Sequence, residues 1–338
     1  MQNLVNENLS KLSAISVALG SNPRLIQGAG GNTSFKTEEN LWIKASGMWL
    51  SEAANNNIFV KLDLSVLREQ ILSDEVNPVK SAFSPDPNAL GLRPSIETTL
   101  HGLLASPFVV HTHPIDVIAI AVRDDAEIKF ARCLDGMSWV FVPYARPGMP
   151  LTRAMQKAVA EREIDVVVLG NHGLVVGGAD ADSAMHLTAQ VCARCAAEKR
   201  SMPIPDTSAL QALVTDTAYR LPGSPLCHIL SLDNDCQTIA AKGSLYPDHV
   251  VFLGHGIQPH NTVTSQLPVG ADAPLVLTTP LGTVVRRDIT AGAEAMVQCL
   301  AEVLLQVPPD ATLNYLSIDQ EAELINWDAE KLRQMMNR

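Results

Sequence analysis

Residues 108–114 read FVVHTHP: an apolar run ending in two histidines one residue apart, closed by a proline. A run of this kind is strand-like, and in a β-strand the side chains at i and i+2 share a face. His111 and His113 therefore aim the same way, just where the apolar run meets Pro114. Two imidazoles so placed can grip one metal ion, or they can be two polar residues that finish a strand. The rest of the chain has to decide.

The stretch sits in a chain that alternates helical and strand patterns. Leu4, Leu9, Leu12, Ile15 and Leu19 have helical spacing. GAGGNTSF (28–35) breaks that helix and leads into NLWIKASG, a short strand ending in a turn. LSVLREQIL (64–72) is helical, and the Pro-, Ser- and Asn-rich stretch 77–94 predicts a surface loop. SIETTLHGLLAS predicts a helix started by Pro94 and Ser95, before the FVVHTHP strand. Helix over DVIAIAV, strand then loop over WVFVPYARPG, and helix over LTRAMQKAVAER follow. DVVVLGNHGLVVGG holds two β-rich runs around Gly170–Gly173, and ADSAMHLTAQVCARCAAEKR is a long helix. Without regular βαβ spacing, this mixture predicts α/β or α+β layers.

A break falls at 202–225, between MPIPD and LPGSP. It predicts a first domain over 1–210 and a smaller α/β C-terminal domain over 226–338, whose role the sequence leaves open. In the latter, LVLTTPLGTVVRR predicts a hairpin at Pro280–Gly282, and GAEAMVQCLAEVLLQV a helix. YPDHVVFLGHG carries His249 and His255, expected to straddle a strand and to be structural.

Composition narrows the function. A net charge of −11, with no dense Lys/Arg tract, argues against nucleic acid and anionic membrane as partners. No apolar run approaches the ~20 residues needed to cross a bilayer. The amino-terminal residues lack a signal-peptide pattern, and six scattered cysteines suit a reduced cytoplasm. Cys192 and Cys195 form a C-x-x-C with no second pair at zinc-finger spacing, so structural thiols are expected.

His172, in VLGNHGLVV, also follows an apolar run and has glycines beside it that permit close approach. Three neutral imidazoles make a sound zinc shell with a position open for substrate. Spacing alone does not prove that His172 meets the other two. Glu97 reads as a first-turn glutamate favoured by the helix dipole. His101 lies one helical turn later on the same face, where it can orient Glu97 or be an ordinary helix histidine.

The ordered set GAGGNTS, WIKASG, SIETTLHG, VVHTHP, PYARPG and LGNHGLVV resembles the class II aldolase/adducin family over roughly residues 5–205. That family includes fuculose-phosphate and rhamnulose-phosphate aldolases and ribulose-phosphate 4-epimerase. The SIETTLH and HTHP wording is especially similar to the aldolase half of rhamnulose-phosphate aldolase/dehydrogenase fusions. No G-x-G-x-x-G between a strand and a helix marks a dehydrogenase half.

The resemblance implies a three-layer domain with a central, mainly antiparallel sheet flanked by helices. It implies His111, His113 and His172 as ligands of Zn²⁺, with Mn²⁺ or Co²⁺ also acceptable to imidazole. Glu97 becomes the carboxylate that moves protons beside the metal. Glu is typical of the aldolases at this place, and the epimerases carry Asp. Gly31, Asn32, Thr33, Ser46, Gly47 and Ser95 fall on the segments that surround the substrate phosphate. A hydroxyl residue is expected just before the glutamate, and Ile96 stands there instead. A carboxylate or an unphosphorylated polyol is therefore an alternative terminus, with Arg93 and Lys44, taken as surface residues, as nearby charges. Tyr144 corresponds to a tyrosine that acts as an acid in a neighbouring subunit's site, within a homotetramer.

The reaction so implied is a metal-dependent aldol cleavage or formation in a small sugar-like, phosphorylated ketose, through an enediolate. The alternatives are decarboxylation or 4-epimerisation on the same chemistry, or an adducin-like scaffold without catalysis. A cupin-like barrel fits poorly with a helix carrying Glu97 immediately before the strand.

Overall fold

The structure is a computed structural model. It describes all residues except 1, 74, 76, 84–90, 161–162, 263–266, 269–272 and 337–338. The chain forms two compact units, residues 1–121 with 126–196, and residues 122–125 with 197–338.

The first unit runs α1 (Gln2–Gly20), β1 (Asn32–Lys36), β2 (Asn40–Lys44), β3 (Phe59–Asp63), α2 (Leu64–Leu72), α3 (Pro78–Ala82) and α4 (Thr98–Leu103). It continues with β4 (Phe108–Thr112), α5 (Ile115–Ala121), α6 (Ala126–Cys133), β5 (Trp139–Val142), α7 (Met149–Ala158), β6 (Val166–Leu169), β7 (Gly173–Gly178) and α8 (Ala181–Cys195). Seven strands form one sheet in the order β3-β2-β1-β4-β7-β6-β5. Every neighbouring pair is antiparallel except β5 with β6.

Strand alternation makes the layers. Phe35, Phe108 and Val110 pack with Leu12, Ile15 and Leu19 of α1 and Ala184 of α8. Val166, Val168, Leu174 and Val176 continue that face against α5, α6 and α8. Val109, Val167 and Val175 face the other way, against Leu100 of α4 and Leu151 and Met155 of α7. Leu41, Ile43, Val60 and Leu62 meet α2 and α3 on that second face. Each fully buried Val, Leu, Ile or Phe contributes about 1.5–3 kcal/mol. The sheet is thus the middle of three layers, as expected of the family fold.

Several local expectations need correction. α4 begins at Thr98, not at Ser95. Pro94 pairs with Ala45 as an isolated bridge, and Ser95 opens a turn whose carbonyl accepts from Thr98 N and Oγ1. The stretch 77–94 contains the short helix α3 with Pro78 at its start, while 84–90 lie outside the described residues. β3 and α6 have no counterpart in the sequence expectation.

The second unit runs α9 (Thr207–Val214), β8 (Tyr219–Arg220), α10 (Ile229–Leu232), α11 (Asn234–Lys242), α12 (Pro247–Leu253), β9 (Pro259–Asn261), β10 (Leu275–Thr279), β11 (Gly282–Arg286), α13 (Ala291–Leu304), α14 (Ile318–Ile325) and α15 (Asp328–Met336). Its sheet has the order β8-β11-β10-β9, with the expected β10–β11 hairpin antiparallel and β9 parallel to β10. His249 lies on helix α12 rather than beside a strand. Pro247 at the first helical turn and Gly254 at its end are the local signals that outweigh the β-branched pair Val250–Val251. Among the described residues no helix is long and apolar enough to cross a membrane.

Candidate active site

β4 places His111 on the α4 side of the sheet, because Val109 two residues earlier already faces α4, and His113 follows one residue past the strand's end. His172 arrives from the β6–β7 hairpin, whose Leu169↔Gly173 pair encloses a three-residue loop. Asn171 takes a left-handed conformation there (φ 52°), which a short polar side chain tolerates. Gly173 has no alternative: a Cβ at that position would lie 2.5 Å from the Thr112 carbonyl oxygen.

The three rings converge. Their centroids lie 4.9–5.2 Å apart, and one ligand nitrogen from each lies within 4.8 Å of the others. All three residues are buried. His113 Nε2 stands 3.1 Å from His111 Nε2. His111 Nδ1 donates to the Leu174 carbonyl at 3.0 Å, which leaves the Nε2 lone pair of the neutral ring turned into the cluster. Ring nitrogens gathered in this way, with a carboxylate beside them, match the donor set of a divalent cation.

That carboxylate is Glu97. Its Oε2 lies 3.3 Å from His111 Nε2 and its Oε1 3.4 Å from His172 Nε2. The residue is at the N-cap of α4, not in its first turn. Burial raises its pKa, whereas the Asn32 amide and any positive charge held among His111, His172 and His113 lower it.

Strand register supplies the next contacts. Asn32 of β1 pairs with His111 of β4, so its side chain reaches the same region. Its Nδ2 donates to Glu97 Oε2 at 2.8 Å and to Ser95 Oγ at 3.2 Å. Ser95 Oγ also accepts from Glu97 N at 3.3 Å. Thr33 takes the other face: its hydroxyl lies 2.6 Å from Ser16 Oγ of α1, apart from this group. Gly31 (φ 60°) passes so close to the His111 carbonyl that a Cβ would lie 2.7 Å from that oxygen.

The segments carrying Gly31, Ser46, Gly47 and Ser95 are tied to one another. Ser46 N donates to the Arg93 carbonyl at 2.8 Å, two residues before Ser95. Lys44 is a correction: it is 2% exposed, not a surface residue. Its ammonium donates to the Ala29 carbonyl at 2.8 Å and the Met48 carbonyl at 2.7 Å, joining the glycine loop to the turn at Ser46–Gly47. Arg93 is exposed.

Tyr144 follows β5 and is half-buried, with its backbone nitrogen packed against Gly170 at the head of the His172 loop. Cys192 and Cys195 are free thiols on α8. Burial pushes Cys192 up to about 12 and Cys195 further still, so neither is a nucleophile at neutral pH.

Ser34 and Lys36 are polar residues of this region that the sequence reading passed over. Ser34 Oγ lies 2.7 Å from His101 Nδ1, and His101 Nε2 is hydrogen-bonded to Asn32 Oδ1. Lys36 donates to the His101 carbonyl at 2.7 Å and the Leu104 carbonyl at 2.5 Å, and burial brings its pKa down to about 7. The signal was available: Asn32, Ser34 and Lys36 are polar at every second position of a strand that is buried throughout.

The family profile described as Class II Aldolase and Adducin N-terminal domain matches residues 11–198, more than half of the chain. A Bacillus subtilis (strain 168) protein described as the uncharacterized oxidoreductase YuxG is 27% identical over 283 residues. The match covers 75% of this chain but 41% of that protein, so this chain spans less than half of its relative's length. Among solved structures, the N-terminal class II aldolase domain of a conserved protein from Thermoplasma acidophilum is 26% identical. That match covers 56% of this chain and 92% of the other, with a TM-score of 0.48. The L-fuculose-1-phosphate aldolase from Thermus thermophilus is 17% identical, with 56% and 91% covered and a TM-score of 0.39.

Proposed function

This chain belongs to the class II aldolase and adducin family, and from that premise we propose that it is a zinc-dependent aldehyde-lyase acting on a small sugar-like ketose with an anionic terminus. The observation that carries the reading is the meeting of three buried imidazoles with one buried carboxylate. A non-catalytic scaffold has no physical need for that combination, since buried ionisable groups are costly unless used or paired.

His111, His113 and His172 hold the cation. When bound, it supplies Lewis-acid stabilisation for the electron pair left as a carbon–carbon bond beside a carbonyl breaks. Glu97 moves the proton. Asn32 Nδ2 engages Oε2, while Oε1 takes no hydrogen bond and is the oxygen with capacity to accept a proton from substrate and return it. The backbone of Gly31, Asn32 and Thr33, with Ser46, Gly47 and Ser95, receives the anionic end of the substrate through N–H and hydroxyl donors. Tyr144 serves as an acid for the site of a neighbouring copy, in a homotetramer of the cytoplasm.

Ile96 removes one hydroxyl from the anion end, which favours keeping decarboxylation or epimerisation of a related sugar acid as the second reading. Metal analysis of purified protein, joined to a panel of ketose phosphates and 3-oxo acid phosphates, tests the proposal. A triose product with about one transition metal per chain is expected. Release of CO₂ or inversion without cleavage selects the second reading, and full activity in metal-free protein overturns both.

A further inference from the structure

An asparagine amide has two ends of nearly equal size and opposite hydrogen-bonding character. Nothing in Asn32 itself decides which end meets Glu97. The Glu97 Oε2 atom is an acceptor in this contact, so the nitrogen end of the amide binds it and the oxygen end cannot. Asn32 presents its nitrogen, 2.8 Å from Glu97 Oε2.

The decision is made one contact further away. Asn32 Oδ1 also only accepts, and its partner is His101 Nε2, which must therefore carry the hydrogen. A neutral imidazole then has Nδ1 as an acceptor, and the Ser34 hydroxyl stands 2.7 Å from it, able to donate. His101, Ser34 and Asn32 are all at most 2% exposed, so water does not compete for these groups. Lys36 adds a reason for the ring to stay neutral. Its amino group is fixed on the His101 carbonyl oxygen, and whenever it carries a proton a second proton on the ring would face that charge. The opposite tautomer would put a lone pair against Asn32, turn the amide over and set Oδ1 against Glu97.

We propose that His101 is a positioning residue: as the Nε2–H tautomer, with Nδ1 facing the Ser34 hydroxyl, it locks the Asn32 amide with its nitrogen towards Glu97. His101 touches neither substrate nor cation, and acts through Asn32. Its effect on turnover rests on the lyase reading above, whereas its effect on Asn32 does not.

The test separates the two. Long-range ¹H–¹⁵N spectra of the intact protein, with His101 assigned by loss of its signals in His101→Asn, are expected to show the Nε2–H tautomer. The Nδ1–H tautomer would overturn the proposal. In crystals of His101→Asn, whose shorter side chain retains only the Ser34 side of the ring, the Asn32 amide is expected to leave Glu97. His101→Gln, whose amide nitrogen stands near the place of Nε2, is expected to keep it there. An Asn32 that stays seated on Glu97 in His101→Asn sinks the idea.

On the substrate that wild-type protein turns over, His101→Asn is expected to lose about 10–100-fold in kcat with unchanged metal content, and His101→Gln to recover most of it. The double variant Asn32→Ala/His101→Asn is expected to be no slower than Asn32→Ala alone. Equal loss of kcat, metal and Tm in His101→Asn and His101→Gln would make His101 a structural residue only. If wild-type protein turns over no substrate in the panel, the lyase reading fails, and the tautomer and the Asn32 geometry still decide this one.

Discussion

His111 and His249 are both fully buried histidines, one in each unit, and each lies in an apolar stretch of sequence. His111 has His113, His172 and Glu97 at its Nε2 side. His249 has ordinary company: Nδ1 accepts from Leu245 N at 3.2 Å, and the Tyr246 ring packs 5.5 Å away. The neighbouring acid, Glu321, is already occupied by Ser244 N and by His255 at 2.6 Å. Among the described residues only the first group brings three ligand atoms together. Burial therefore does not separate a candidate metal ligand from a structural histidine. The number of ligand atoms gathered at one point does.

The contrast can be broken most directly at the ligands. His113→Ala is expected to bring metal content from about one per chain to near zero and to cost more than about 100-fold in turnover. His255→Ala, in the second unit, should leave metal content untouched. Loss of metal in both would end the distinction.

Glu97→Gln sharpens the same comparison by separating binding from chemistry. Metal content should stay near the wild-type value while kcat falls by about 10²–10⁴-fold. Unchanged turnover would return Glu97 to a helix-end role.

His249 makes a prediction of the opposite kind, on stability. Burial lowers its pKa from 6.5 to about 4 in the folded protein. As pH falls below 6.5 the unfolded state binds the proton first, so stability is full above that pH and is lost as pH drops towards 4. The loss is of order 3 kcal/mol. Denaturant midpoints from pH 7.5 to 4.5 should fall for wild-type protein and fall less for His249→Gln. Parallel curves would show that His249 is not the group responsible.

The smallest expected difference lies between two glycines. Gly31 and Gly254 both have positive φ, but a Cβ on Gly31 meets the His111 carbonyl and one on Gly254 meets nothing within 4 Å. Gly31→Ala should cost about 1–3 kcal/mol more than the backbone strain that both share, read as a lower Tm. Weaker metal binding is expected only in Gly31→Ala, and equal effects would remove the special place of the His111 carbonyl.

Much of this was legible from local pattern. The apolar runs in FVVHT and VVVL, the loop glycines around His172 and the helical spacing of α1 and α8 are properties of neighbouring residues. β3 and α6 escaped because their apolar positions are few and interrupted by charge, as in FVKLD and AEIKFARC. The helix over PDHVVFL was hidden by β-branched residues that favour strands in the absence of the flanking Pro and Gly signals.

By itself, then, the sequence determined the strand faces, the pairing of His111 with His113, and through its ordered motifs the family. Those follow from the covalent geometry of a few adjacent residues. Tertiary structure alone decided that Lys44 is buried as a clamp, that Thr33 turns to α1, and that Ser34 and His101 stand behind Asn32. The contacts concerned join residues such as Asn32 and Glu97, 65 positions apart. No local period encodes such a meeting, which appears only when sheet register and helix packing bring the segments into one buried place.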